Sequence, residues 1–256
     1  MDAWSTIIGG AIALAGAFGT AYMNRKSEEK KQKLQFEHSK LQMVFDDRKA
    51  SCRKIIDEIY KAVKMVRLYQ PYDNAWEPIK KEYFESTSEA LTKEFIFVDE
   101  KAEQALKLFL NIMSDTVLWD WETDPSFSHP DKDRMIRRAY EELEYLSEHI
   151  TGFLRSQIYL TNEEPLIQSK VALLKICRFV CDERFKELKF SNQDIIKLNG
   201  WQSPMEIIRL AESNMSLFKS ELTNFFSSLK TNYLNDKNRE YFMPEIAKIE
   251  KLLPYI

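Results

Sequence analysis

The sequence predicts an all-α protein: an N-terminal single transmembrane helix, a long helical stalk and a cytoplasmic multi-helix bundle. Three observations carry that prediction. The run WSTIIGGAIALAGAFGTAYM, residues 4–23, contains no charged residue. From 24 to 68 there is neither proline nor glycine, the two residues that most often break a helix. Beyond Gly19 only Gly152 and Gly200 remain, and a body with two glycines is hard to build from β-hairpins, whose tight turns depend on them. A hydrophobic fraction of 44% is ample for a packed core and excludes global disorder. The expected organisation is an anchor over 1–23, a charged helical stalk over 24–68 that merges into the bundle, and an α-helical cytoplasmic domain over 69–256.

The first element is set by length and flanks. A helix over 4–23 is about 30 Å long at about 1.5 Å per residue, which matches the hydrocarbon thickness of a bilayer. Trp4 and Tyr22 stand near its ends, where amphipathic rings favour the membrane interface. A cleaved signal peptide would carry its positive charge before the apolar run. Here Arg25, Lys26, Lys30, Lys31 and Lys33 follow it, so the positive-inside rule puts the N-terminus outside and the bulk of the chain in the cytoplasm, at a cell inner membrane. On a helical wheel Thr6, Gly9, Ala13, Gly16 and Thr20 share one side, with Gly10 and Ala17 beside them. Small residues at this spacing let another helix approach closely, so this is the expected helix-contact face of a homo-oligomer.

The second element is polar at first. Between Arg25 and Lys40 lie six basic and three acidic residues. This reads as a topology signal and a solvated helix, with attraction to anionic headgroups the sharper alternative. From Ile55 onward the apolar spacing is that of a packed helix, but between Asp46 and Ser51 it fails, so an uninterrupted coiled coil is not expected.

The body then reads as a series of helices. Prolines at 71 and 78 break the chain, and a short helix is expected over 86–91. FIFV, 95–98, is an ambiguous β-like run. Asp99 is placed to cap a helix carrying Ala102, Leu106, Phe109 and Met113. A strong helix follows Ser128 and Pro130, and another follows Pro165. Ser191 is placed to cap a short helix ending at Asn199 and Gly200. Ser203, Pro204 and Glu206 spell a capping box with proline at the first position, opening a helix expected to reach Tyr233. A last helix is expected over 244–252.

Chemical signatures are sparse. Cys52, Cys177 and Cys181 form no scaffold pattern, which suits a reducing compartment. Cys177 and Cys181 share a helix face but lack paired histidines, so they read as buried apolar thiols. Glu141, Glu142 and Glu144 read as a solvated face, because the Glu-x-x-His pattern of bundle metal sites is missing. The nucleophile elbow, the P-loop and the dinucleotide fingerprint are all absent from the sequence. No catalytic, cofactor-binding or metal-binding residue is therefore assigned, and no cofactor is expected. A net charge of −3 makes nucleic acid an unlikely partner. The loop WDWETDPSFSHPDKD, 119–133, interleaves Trp119, Trp121 and Phe127 with acids: the blander reading is that these rings plug the end of the bundle with the acids in water, and the sharper alternative is a partner-binding loop, since aromatic anchors dominate interface energies. Arg134, Arg137 and Arg138 follow and are placed to pair with those acids.

The expected function is that of a membrane-anchored, non-enzymatic protein-interaction module: the helical body binds a protein partner and the Gly/Ala-faced helix self-associates. The alternative is a pore-forming effector of a bacterial defence or toxin system, with the small hydroxyl-bearing face lining the pore. A third reading is a membrane-tethered enzyme with an unfamiliar site.

Overall fold

A computed structural model of the 256-residue chain describes residues 3–68, 76–117, 129–159, 166–181, 203–233 and 236–256. Eight α-helices run through them, with no strand among the described residues, so the all-α expectation holds. They are α1 (Ala3–Leu68), α2 (Trp76–Lys93), α3 (Glu100–Val117), α4 (His129–Tyr159), α5 (Ile167–Val180), α6 (Pro204–Ser213), α7 (Met215–Ser228) and α8 (Asp236–Glu250). The chain divides into two compact units, Met1–Ala50 and Ser51–Ile256, with the division inside α1.

The first unit is helical from Ala3. Its side chains are described from residue 26, and every residue over 26–44 is exposed. Among the described residues no helix is long and apolar enough to cross a membrane, so the expected transmembrane helix and cytoplasmic orientation find no support there. The side chains of Trp4, Thr6, Gly9, Ala13, Gly16, Thr20, Tyr22 and Arg25 lie outside the described set. Lys26, Lys30, Lys31 and Lys33 lie within it and are exposed.

The second unit is a helical bundle. Residues of α1 from Ser51 bury one stripe, Cys52, Ile55, Ile59, Ala62 and Val66, at the three-four spacing of a helix face. Asp99 caps α3 as expected: the Ala102 amide donates to Asp99 Oδ1 at 2.9 Å. Helix α3 turns Leu106, Phe109, Ile112 and Met113 inward, and α4 turns Leu143, Leu146, Ile150, Phe153 and Leu154 to meet them. Helix α5 is buried on most of its circumference, including Ile167, Val171, Leu174, Ile176, Cys177 and Val180. Such a helix belongs at the centre of a bundle, and α5 does pack against α3, α4, α6 and α8.

Several expected boundaries move. The short helix over 86–91 is really α2, starting at Trp76. Pro78 falls in its first turn, where the missing amide N–H costs nothing. The ambiguous FIFV run is a 3-10 turn, Phe95–Phe97, not a strand. The helix expected from Pro204 to Tyr233 is two helices. Ser203 and Glu206 do form the reciprocal capping box. Asn214 then leaves the helix at φ −150° and recaps α7, accepting from the Leu217 amide at 3.1 Å. The last helix starts at Asp236 rather than at Pro244, which sits inside it. Phe242 and Ile246 are both buried, so packing on either side holds the helix through the proline. The helix expected to end at Gly200 lies outside the described residues.

Candidate functional site

Two features of the second unit bring polar chemistry together. The first is internal. Glu142 on α4 is 1% exposed, and both its carboxylate oxygens are engaged. Arg138, one turn earlier, donates Nε–H to Oε1 at 3.1 Å. Arg178 on α5 donates through Nη1 to Oε2, and through Nη2 to Asp115 Oδ2 on α3 at 2.9 Å. One guanidinium, that of Arg178 on α5, thus ties three helices, reaching Glu142 on α4 and Asp115 on α3. This corrects one expectation: Glu142 is not part of a solvated face. Arg138 bonds Glu142, and the loop acids Asp120, Glu122 and Asp124 lie outside the described residues. The physical reason is periodicity: Glu142 follows Ala139 by three and precedes Leu146 by four, so it shares their inward side.

The neighbouring thiols are unreactive by environment. Burial first, then Cys181 and Glu142, raises the Cys177 thiol well above its usual range. Burial pushes Cys181 up to about 12, against the lowering pull of Arg138. Thiols held protonated in this way are poor nucleophiles and poor metal ligands at neutral pH. Among the described residues no cluster of three or more His, Cys, Asp or Glu could hold a metal ion.

The second feature is a groove of about 640 Å³, open to solvent, between the later part of α1 and α4. Its α1 wall presents Tyr60, Lys64 and Arg67; its α4 wall presents Tyr140, Glu144, Glu148, His149 and Arg155. The spacing of Tyr60, Lys64 and Arg67 puts them on one helix side, as does that of Tyr140, Glu144 and Glu148. Arg155 donates through Nη2 to the Tyr60 hydroxyl at 3.0 Å, and the Tyr140 hydroxyl donates to Glu144 Oε1 at 3.0 Å. That bond and burial raise the Tyr140 phenol, burial being the larger cause. Burial, then the charge of Lys170, holds the His149 imidazole below its usual range, so it is neutral at pH 7. Its ring meets Tyr145 edge-on at 4.5 Å between centroids. Gly152 lies on this groove, and a Cβ added there would meet nothing within 4 Å.

Chemically the groove is two-signed. Lys64 and Arg67 on the α1 wall stand across from Glu144 and Glu148 on the α4 wall, which also carries Arg155, and two tyrosines supply flat apolar area with hydroxyl tips. Such a lining suits a segment of mixed charge better than a small anion. Sequence reading missed Tyr60, Arg155 and the groove itself, because the two walls come from helices far apart in the chain. The partner-binding loop residues Trp119, Trp121 and Phe127 lie outside the described residues. Comparison with known proteins finds no matching family model, no matching curated protein and no matching solved structure.

Proposed function

We propose that the chain is a membrane-anchored, non-enzymatic protein-interaction module. Residues 4–23 cross the inner membrane with the N-terminus outside, and the helical body binds a protein partner on the cytoplasmic side. The observation that carries the partner reading is the two-signed, tyrosine-walled groove between α1 and α4. Support for the anchor is sequence chemistry: twenty uncharged positions followed by Arg25, Lys26, Lys30, Lys31 and Lys33. Self-association through Thr6, Gly9, Ala13, Gly16 and Thr20 follows from their small size and shared side.

The groove is tested by filling it. Gly152→Trp starts its side chain where an added Cβ meets nothing within 4 Å and replaces a poor helix former by a better one, a gain of about 0.5 kcal/mol. The expected outcome is unchanged or slightly raised thermal stability, with loss of a partner that the wild-type protein co-purifies from membranes. Retention of that partner by both Gly152→Trp and Arg155→Glu overturns the groove as the binding surface.

A second reading, a pore-forming effector, is favoured by the hydroxyls of Thr6 and Thr20 on the small face. Replacing Gly9, Ala13 and Gly16 with Leu separates the two. An interaction module loses self-association and keeps its membrane location, whereas a pore loses ion leakage or toxicity.

A further inference from the structure

The two walls of the groove carry opposite charges that stay apart. Arg155 reaches Tyr60 at one end, and Arg67 bears electrostatically on Tyr140 at the other, so α1 and α4 run antiparallel along it. Within this span Lys64 and Arg67 line the α1 side, and Glu144 and Glu148 line the α4 side. All four are exposed. Among the described residues no ion pair joins either cation to either glutamate. Elsewhere in the bundle opposite charges on neighbouring elements do close up, as Lys170 does with Glu212 and Lys54 with Glu94. The groove thus holds two charged rows, one sign per row, that a third element can pair with at once.

The floor between the rows asks for little. Ser147 donates to the Glu144 carbonyl at 2.8 Å and Thr151 to the Glu148 carbonyl at 3.2 Å, so both buried hydroxyls are satisfied inside α4. Val63 is apolar, and Gly152 presents no side chain. Both walls are helices, whose backbone groups are bonded internally, so they offer an extended segment no ladder to join. A helix brings its own backbone bonds with it. On each wall the two charges stand three or four residues apart, about 5–6 Å, which is also the spacing of side chains along one flank of a helix. From Tyr140 to Arg155 the α4 wall runs about 22 Å, room for about four helical turns.

We infer that the groove takes one helix of a partner protein, with an acidic flank against Lys64 and Arg67 and a basic flank against Glu144 and Glu148. Small or apolar residues lie between those flanks, over Val63 and Gly152. The inference rests on the reading of this groove as a protein-binding surface, and it adds what the bound segment must look like. It also fixes direction. Turning such a helix end for end exchanges its flanks, so only one of the two orientations pairs both walls. A helix acidic on both flanks, or basic on both, meets like charge on one wall whichever way it lies, and is rejected on that ground.

The test uses the full chain in nonionic detergent and three labelled alanine-based peptides of about 18 residues, long enough to form helix. One carries glutamate along one flank and lysine along the other. The second carries glutamate on both flanks, and the third lysine on both. Fluorescence anisotropy is expected to show the two-signed peptide bound at least about tenfold more tightly than either of the others. Gly152→Trp, held in the same micelles, is expected to remove that binding. The double variant Lys64→Glu, Arg67→Glu turns both walls acidic, and the all-lysine peptide is then expected to bind tightest. Both positions are exposed, and a change of order is something misfolding cannot imitate. Equal binding of the three peptides, binding of none, or an unchanged order after the reversal overturns the inference. Pull-down of the native partner is read alongside. If Gly152→Trp loses that partner while the peptides fail to sort, this inference alone falls. If the peptides sort while the partner stays with both Gly152→Trp and Arg155→Glu, the groove falls as that partner's surface and its selection of a two-signed helix stands.

Discussion

Glu142 is the residue on which the bundle's polar interior turns. Its carboxylate is buried with both oxygens bound to guanidinium groups, so its removal leaves two half-buried arginines short of an acceptor. Breaking a buried pair from one side costs more than the pair contributes, typically about 3 kcal/mol or more. Glu142→Ala is therefore expected to lower the thermal midpoint by about 6–12 °C for a body of this size, measured by differential scanning calorimetry. Asp115→Ala, which removes an exposed partner of the same Arg178, is expected to cost under about 1 kcal/mol. The thiol next to this network sets a pH dependence. Cys181 has a folded value near 12 against 9.0 unperturbed, so the unfolded chain loses its proton first as pH rises. Its contribution is complete below about pH 9 and is lost progressively from there to about pH 12. Urea titrations of wild type and Cys181→Ala across that window are expected to converge as pH rises. Of this residue-scale picture the sequence made the buried Cys177 legible, but neither the half-buried position of Cys181 nor Glu142. A glutamate flanked by other glutamates looks solvated until its three-four spacing to Ala139 and Leu146 is weighed, and its partner Arg178 sits on another helix.

At the scale of elements, caps were easier to read than lengths. Asp99 and the Ser203–Glu206 box are local patterns whose partners lie within one turn, so sequence alone places them. Asn214 is equally local but hides inside an apolar periodicity that runs on through Leu217 and Phe218, and the helix looked unbroken. Its side chain satisfies the Leu217 amide, so Asn214→Ala is expected to destabilise by about 1 kcal/mol, read from a urea midpoint shift at unchanged slope. Prolines misled in the opposite sense. Pro78 and Pro244 suggested a break and a start, yet one lies in a first turn and the other within a helix held by Phe242 and Ile246. The α1 groove wall shows the same limit. Periodicity tells which residues share a side, and only the packed body tells whether that side is covered.

For the whole molecule, the all-α class was legible from the scarcity of glycine and the long proline-free runs, and the bundle confirms that class. Function was legible only as an architecture: an uncharged run, a basic flank, then a helical body. The groove adds a candidate partner surface, and the proposed function has α1 deliver the body that carries it to a membrane. The most direct measurement is fractionation of cells producing the full-length chain, with an alkaline carbonate wash of the membranes. The account predicts that the protein stays in the washed pellet. It also predicts that in right-side-out cells a tag at the N-terminus is open to externally added protease while one at the C-terminus is protected. Recovery of the chain in the carbonate supernatant, or protection of the N-terminal tag, would contradict it.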